Sequence, residues 1–302
     1  MTLDINFIKK FKENFSQNVN LSNYSWFNLG GKAEFFYKAK DQKQLVEFLE
    51  VTKKKNLKTT ILGAGSNILF RDNGVKGVVI KLGNDFSYTK LINKNIIDVG
   101  AATLDRKVAN FAKENNIGNL EFLSCIPGSI GGAIIMNSGC YDNDISKILI
   151  SVKAIDINKL SIIEIKKDDI KFSYRGSNLP SNLIIISAKL KGSIGLKEEI
   201  EKKQSSFIEK KKTSQPSQIK TCGSTFKNIS EDRKAWMLIK EAGCEAYREG
   251  DAVISQKHCN FFVNNGNAKS SDIENLINKV KKKVQEKTGV NLELEIKIVG
   301  EK

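Results

Sequence analysis

From residue 121 to 144 the chain reads EFLSCIPGSIGGAIIMNSGCYDND. Pro127, Gly128, Gly131, Gly132, Gly139 and small hydroxyl residues are packed into a stretch that also carries Ile126, Ile130 and Ile134. Such a stretch lets the backbone approach a neighbouring surface closely. It is either an irregular packed loop or a ligand-holding segment, with N–H donors for a diphosphate and apolar side chains for a ring.

A second glycine cluster, ILGAGSNIL at 61–69, follows a strand-like run. Two glycines separated by alanine suggest a dinucleotide turn. The Rossmann fingerprint fails, because Ile68 stands where its third glycine belongs and no amphipathic helix begins there. A Gly-Ala-Gly-Ser-Asn turn still suits an anion, through backbone N–H groups and the Ser66 hydroxyl, and equally suits a plain tight turn. Two anion-friendly loops, neither of Rossmann form, suggest a dinucleotide laid across two subdomains.

The periodicities around these loops define an α+β chain. Strand-length apolar runs occur at 33–39, 58–63 and 77–82, with amphipathic helices at 41–56 and 104–116. Asp41 and Gln44 occupy capping positions of the first helix. SVKAIDI, SIIEI and LIIISAKL make the middle rich in strands, and a charged helix at 196–212 leads into TSQPSQIK, a polar stretch suited to a domain boundary. Near the end, Ser271 and Glu274 fit a capping box ahead of Ile273, Leu276, Ile277, Val280 and Val284, with Gly289 as the stop. VNLELEIKIV then alternates, Leu292, Leu294, Ile296 and Ile298 on one face and Glu293, Glu295 and Lys297 on the other.

Length and composition narrow the class. The 302 residues suit one large domain or two to three small ones. No run of about 18 apolar residues is present, and MTLDINFIKKFKENF lacks the apolar core of a leader peptide. The five cysteines form no C-x-x-C pair or metal spacing, so reduced thiols, a cytoplasmic location and no metal are expected. The net charge of +15 is almost all lysine, densest at 53–56, 209–212 and 279–283. These runs lie on or beside the amphipathic helices and read as solvated faces; no aromatic-interleaved motif supports a nucleic-acid partner.

Ser224, in TCGSTFKN at 221–228, sits beside Gly223 as a nucleophile would, yet the chain's single histidine, His258, follows no triad pattern. The glycine clusters answer this through a resemblance. ILGAGSNIL and FLSCIPGSIGGAIIMNSGCY resemble the FAD-binding part of the UDP-N-acetylenolpyruvoylglucosamine reductase family, which shares its flavin fold with vanillyl-alcohol-oxidase-like flavoproteins. SWFNLGGKAEFF (25–36), FSYRGS (172–177), CGSTFKN (222–228), HCNFFVN (258–264) and LELEIKIVG (292–300) follow in family order across nearly the whole chain.

The resemblance implies a two-subdomain FAD-binding unit, 1–80 and 81–205, and a C-terminal α+β substrate domain, 206–302, with the last strand at 290–299 open to either. It implies non-covalent FAD near Gly63, Gly65, Ser66, Asn67, Ile126, Pro127, Gly128, Ser129, Gly131, Gly132, Asn137 and Gly139. NADPH would donate hydride, and UDP-N-acetylglucosamine enolpyruvate would be reduced to UDP-N-acetylmuramate. Ser224 matches the family serine that protonates C2, a task needing no histidine partner. Arg175 matches the arginine at the substrate carboxylate, and Glu295 the glutamate that helps stabilise the enol. Lys227 and Asn228 fall at UDP-sugar contacts. Ile229 replaces a common proline and KKKTSQP a commonly arginine-bearing segment; the short spacing after YRGS resembles the branch without a tyrosine-bearing substrate loop. The rival readings are a flavin oxidase of the same fold and a basic nucleic-acid-binding protein.

Overall fold

In a computed structural model, which describes residues 10–302, the run Leu183–Lys191 is the central strand of a five-stranded antiparallel sheet. Residues 1–9, the start of the amino-terminal stretch read above, lie outside the described residues. The sheet order is Ser161–Lys166, Leu149–Asp156, Leu183–Lys191, Ile96–Gly100 and Thr89–Asn93. A central strand covered on both faces needs an almost continuous apolar run, which is what LIIISAKL supplies. Opposite Lys153 and Ala154 the register slips at Ile186, so Ile184 and Ile186 join one core while Ile185, Ala188 and Leu190 join the other.

The chain divides into two units. The first holds 35–64, 77–211 and the described residues up to Gln17; the second holds Asn18–Glu34, Gly65–Lys76 and Lys212–Lys302. One boundary falls inside the GAGSN turn, between Ala64 and Gly65.

Two cores of unit 1 each take residues from the large sheet and from helices. Helix Gln42–Lys54 starts where the Asp41 carboxylate accepts the Gln44 N–H at 2.8 Å, and it buries Leu45, Phe48, Leu49 and Thr52 at helical spacing. Phe48 stacks on Tyr37 in a core shared with Phe35, Val78 and Ile80. Truncating so enclosed a ring costs on the order of 3–5 kcal/mol. In the other core, helix Asp105–Glu114 contributes Val108, Ala109 and Ala112, and the short helix Ile130–Ile135 contributes Ile130, Ala133 and Ile134. The glycine-rich stretch is therefore anchored through Ile130, Ala133 and Ile134, whereas Ile135 is exposed.

Unit 2 is organised by helix Ser270–Thr288, whose Ile273, Leu276, Ile277, Val280 and Val284 pack with Phe27, Leu69, Phe226, Phe262, Leu292 and Ile296. The expected Ser271–Glu274 capping box is not formed. Lys269 is the N-cap, and its N–H donates to the Asp272 carboxylate three residues on, at 2.8 Å. Asp72 itself caps the helix from outside, accepting the Ser270 and Ser271 N–H groups at 2.8 and 2.9 Å. Burial alone would raise its carboxyl, but the backbone and hydroxyl donors of Ser270 and Ser271 more than offset that and hold it below the usual carboxylate range. Glu274 is drawn instead into a two-pronged pair with Arg71, at 2.9 and 3.0 Å. Gly289, at φ 71°, ends the helix in the left-handed conformation. Only Lys297–Val299 of the alternating C-terminal run is a regular strand, and it pairs in parallel with Ile68–Phe70. Among the described residues no helix is long and apolar enough to cross a membrane.

Candidate active site

In unit 2 the segment 222–228 is built without regular secondary structure, so its backbone groups must find partners elsewhere. Gly223 takes φ 80° with open space around its missing side chain, so only the backbone turn requires glycine there. Ser224 bridges to Phe261, and Thr225 donates its N–H to the Asn260 carbonyl at 2.8 Å. The buried Asn260 side chain completes the clamp: its Oδ1 accepts the Phe226 N–H at 2.9 Å and its Nδ2 donates to the Phe226 carbonyl at 2.8 Å. Ser224 is thereby held half-buried at the end of a rigid segment.

The C-terminal run lies alongside. The Glu295 N–H donates to the Thr225 carbonyl at 2.9 Å, Lys227 donates to the Glu293 carbonyl at 2.8 Å, and Phe226 bridges to Leu294. Periodicity puts Glu293 and Glu295 on one face, but their surroundings differ. The Glu293 side chain is 75% exposed and meets the Lys227 ammonium at 3.5 Å, a surface pair, whereas Glu295 is half-buried. Asn67 secures Glu295 from the other side, its Nδ2 donating to the Glu295 carbonyl at 3.0 Å and its own carbonyl accepting the Lys297 N–H at 3.0 Å. Ser224, Lys227, Asn67 and Glu295 are thus one connected cluster. Asn228 is engaged as a cap, its Oδ1 accepting the Ala235 N–H at 3.1 Å ahead of helix Ala235–Glu241. Gly65, at φ 72°, packs so tightly on the Tyr24 carbonyl that any side chain would collide with it, and Ser66 follows it half-buried.

Unit 1 gathers the remaining predicted residues. A side chain at Gly63 would come within 3.0 Å of the Ser129 Oγ, so the end of the first glycine turn lies against the second glycine stretch. Gly132 has only that same hydroxyl nearby, at 3.9 Å, and is exposed. Gly63, Ser129 and Gly132 therefore outline a small cradle bearing one hydroxyl. The Lys81 ammonium donates to the Gly63 carbonyl at 2.6 Å, and burial lowers its pKa from the ordinary lysine value, with Lys38 adding to the effect.

The other glycines serve the fold. Side chains at Gly128, Gly131 and Gly139 would meet the Asp105 carboxylate, Ala101 and the Asn143 carbonyl. The Ile130 and Gly131 N–H groups are bonded to the Thr103 and Ala101 carbonyls, at 3.0 and 2.9 Å, and are not available to an anion. Ile126 is half-buried and Pro127 exposed at the head of this loop. Asn137, buried, ties the stretch to the hairpin Phe172–Ser173/Gly176–Ser177 by donating to the Ser173 carbonyl at 3.2 Å. Arg175 is at the tip of that hairpin in a left-handed conformation, φ 56°, its guanidinium 5.1 Å from the centre of the Tyr174 ring.

Three residues of these sites escaped the sequence reading. Asn260 lay inside the recognised HCNFFVN without a role, Lys81 was a lone cation in an apolar strand, and Asp105 was an ordinary first-turn acid. Asp105 is fully buried, and neither carboxylate oxygen has a hydrogen-bond partner among the described residues; burial drives its pKa well above the usual value. His258 keeps a structural place, its Nδ1 accepting the Asn260 N–H at 3.2 Å and its ring edge-on to Phe261, with burial lowering its pKa.

Residues 212–299 match the family described as UDP-N-acetylenolpyruvoylglucosamine reductase, C-terminal domain, and residues 33–164 match an FAD binding domain. The reductase from Pelagibacter ubique is 43% identical over 98% of this chain and 100% of its own length. The chain belongs to the UDP-N-acetylenolpyruvoylglucosamine reductase family.

A second member of the family, from Orientia tsutsugamushi, is 43% identical over 98% of this chain and 97% of its own. The crystal structure of the Thermus caldophilus reductase superposes with a TM-score of 0.81 at 31% identity, covering 94% of this chain and 97% of that one. The FAD binding domain match contains the Gly63–Ser129–Gly132 cradle, and the reductase C-terminal domain match contains Ser224, Asn260 and Glu295.

Proposed function

We infer that this chain is an FAD-dependent reductase that converts UDP-N-acetylglucosamine enolpyruvate to UDP-N-acetylmuramate with NADPH, in cytoplasmic peptidoglycan precursor synthesis. The observation that carries this reading is the hydrogen-bonded union of the Ser224–Thr225 segment with Glu295, in a chain of this family. In this reading FAD binding draws on residues 1–205 and substrate binding on 206–302.

FAD held there would supply the redox chemistry, hydride transfer from NADPH to the enolpyruvyl group. The cradle at Gly63, Ser129 and Gly132, with a hydroxyl and the nearby Lys81 cation, suits the diphosphate of that cofactor. Asn67, Ile126, Pro127 and Asn137 complete the cofactor-facing set. The cofactor is held without a covalent link, the chain's one histidine, His258, being engaged by the Asn260 N–H.

Ser224 holds a proton at Oγ for delivery to C2. Its half-buried position limits water, and the Asn260 clamp fixes the segment so that the hydroxyl needs little reorganisation. Glu295, carrying a proton, supports the enol oxygen, while Glu293 is left to solvent. Arg175 presents a planar fork to the substrate carboxylate, drawing negative charge away from C2. Lys227 neutralises the UDP diphosphate, and Asn228 positions the same loop.

A visible absorption spectrum, followed by NADPH oxidation with and without the enolpyruvyl sugar, tests the reading. A yellow protein whose NADPH consumption requires the sugar supports it. A protein that stays colourless after incubation with FAD, or one that consumes NADPH and oxygen regardless of the sugar, overturns it.

A further inference from the structure

Cys125 and Cys140 flank the glycine-rich stretch, one immediately before Ile126 and the other immediately after Gly139. Cys140 directs its thiol at the turn Glu121–Cys125, which brings the two cysteines side by side. Cys125 is buried and its sulfur also lies 3.7 Å from the Ser124 hydroxyl. Cys140 is half-buried, and its thiol reaches the Phe122 carbonyl at 3.5 Å.

The backbone holds this pair firmly. Cys140 pairs with Asn143 across a two-residue turn in which Tyr141 and Asp142 both adopt left-handed φ values, 53° and 61°. Neither is glycine, so the turn is strained, and the stacking of the Tyr141 ring on Phe207 at 4.8 Å helps to retain it. On the Cys125 side, the Lys211 ammonium donates to the Cys125 carbonyl at 2.6 Å.

The electrostatics favour one thiolate within the pair. The neighbouring Cys140, the Ser124 hydroxyl and the Lys211 charge pull the Cys125 thiol below its usual range against the opposing effect of burial. Cys140 is raised by the same contact and stays protonated, although Arg175 and Lys211 act in the opposite sense. The remaining cysteines differ: burial raises Cys222, Cys244 and Cys259.

We propose that Cys125 and Cys140 form a peroxide-sensitive dithiol, a modification site that closes into a disulfide across the glycine-rich stretch. The Cys125 thiolate attacks one oxygen of hydrogen peroxide; the S–O bond forms, the O–O bond breaks and hydroxide leaves. The Cys140 sulfur then attacks Cys125, the S–S bond forms, and the sulfenic oxygen departs as water with the Cys140 proton. The two sulfurs lose two electrons in all and the peroxide is reduced. A dithiol reductant reverses the change by exchange. The bridge would enclose residues 126–139, and its effect on the cofactor rests on the reading of that stretch as flavin-facing.

The test uses the reduced, flavin-loaded protein, treated with hydrogen peroxide, alkylated, digested without reductant and examined by mass spectrometry. The expected product joins the Cys125 and Cys140 peptides, is absent from Cys125→Ser and Cys140→Ser, and disappears with dithiothreitol. Both thiols still alkylated, or Cys125 carried to the sulfinic state without a cross-link, would overturn the proposal. Flavin retention after gel filtration is read on the same samples. A cross-link with unchanged retention supports the dithiol and removes 126–139 from the cofactor site; flavin bound with no cross-link overturns the dithiol and leaves the flavin reading standing.

Discussion

The Glu295 N–H donates to the Thr225 carbonyl at 2.9 Å, which sets the C-terminal run beside the segment that carries Ser224. The same alternation places Glu293 two residues earlier, 75% exposed on its side chain. Glu293→Ala is therefore expected to leave turnover unchanged, whereas Glu295→Ala lowers it by roughly 10²-fold or more through loss of a proton-bearing group at the enol. Steady-state kinetics of the pair decide the assignment. Unchanged turnover in both variants would leave neither glutamate a part in the chemistry.

Ser224→Ala separates the two halves of the reaction. Reduction of the bound flavin by NADPH should proceed normally, while its reoxidation by the enolpyruvyl sugar slows by roughly 10²–10⁴-fold without proton delivery. Substrate affinity should change little, because the hydroxyl acts mainly in the transition state. Stopped-flow absorbance follows each half. Slowed reduction with normal reoxidation would assign Ser224 to NADPH or flavin geometry instead.

Asn260 positions that serine through two hydrogen bonds to the buried Phe226 backbone. Asn260→Ala leaves both backbone groups unpaired and should lower stability by about 2–4 kcal/mol. Asn260→Asp keeps the acceptor and should recover part of this in urea unfolding. A variant as stable as the parent would mean that water replaces the clamp.

Arg175→Lys keeps the charge and the backbone strain at φ 56° but loses the planar fork. Activity should fall by roughly 10²-fold with flavin content unchanged. Normal turnover would make Arg175 a surface residue.

Asp105 imposes a pH dependence on stability. Its folded pKa is raised by burial, so the unfolded chain releases this proton first, from about pH 4 upward. The native state accordingly loses stability relative to the unfolded one as pH rises through the window between the two pKa values. Asp105→Asn, neutral throughout, should raise the melting temperature at pH 8 and have little effect at pH 4. A pH-independent difference between the two proteins would indicate that Asp105 acquires a partner.

Much of this molecule is legible in local patterns. Helices at 41–56 and 104–116 and the strands of the large sheet follow from apolar spacing, because a helix or strand must turn one face to a core whatever that core is. The order of the motifs sufficed for the family, and with it the expectation of FAD. What lay beyond the sequence depends on which distant groups meet. Glu293 and Glu295 share one period and differ only in their neighbours. Asp72 displaced the expected Ser271–Glu274 box because two aligned N–H donors favour an ionised carboxylate, leaving Glu274 to Arg71. Cys140, without any redox spacing to Cys125, reaches the turn Glu121–Cys125 only because the glycine-rich stretch folds back. Periodicity is a property of neighbours in the chain, whereas hydrogen bonds and shifted pKa values depend on distances of a few ångströms that tertiary packing alone sets.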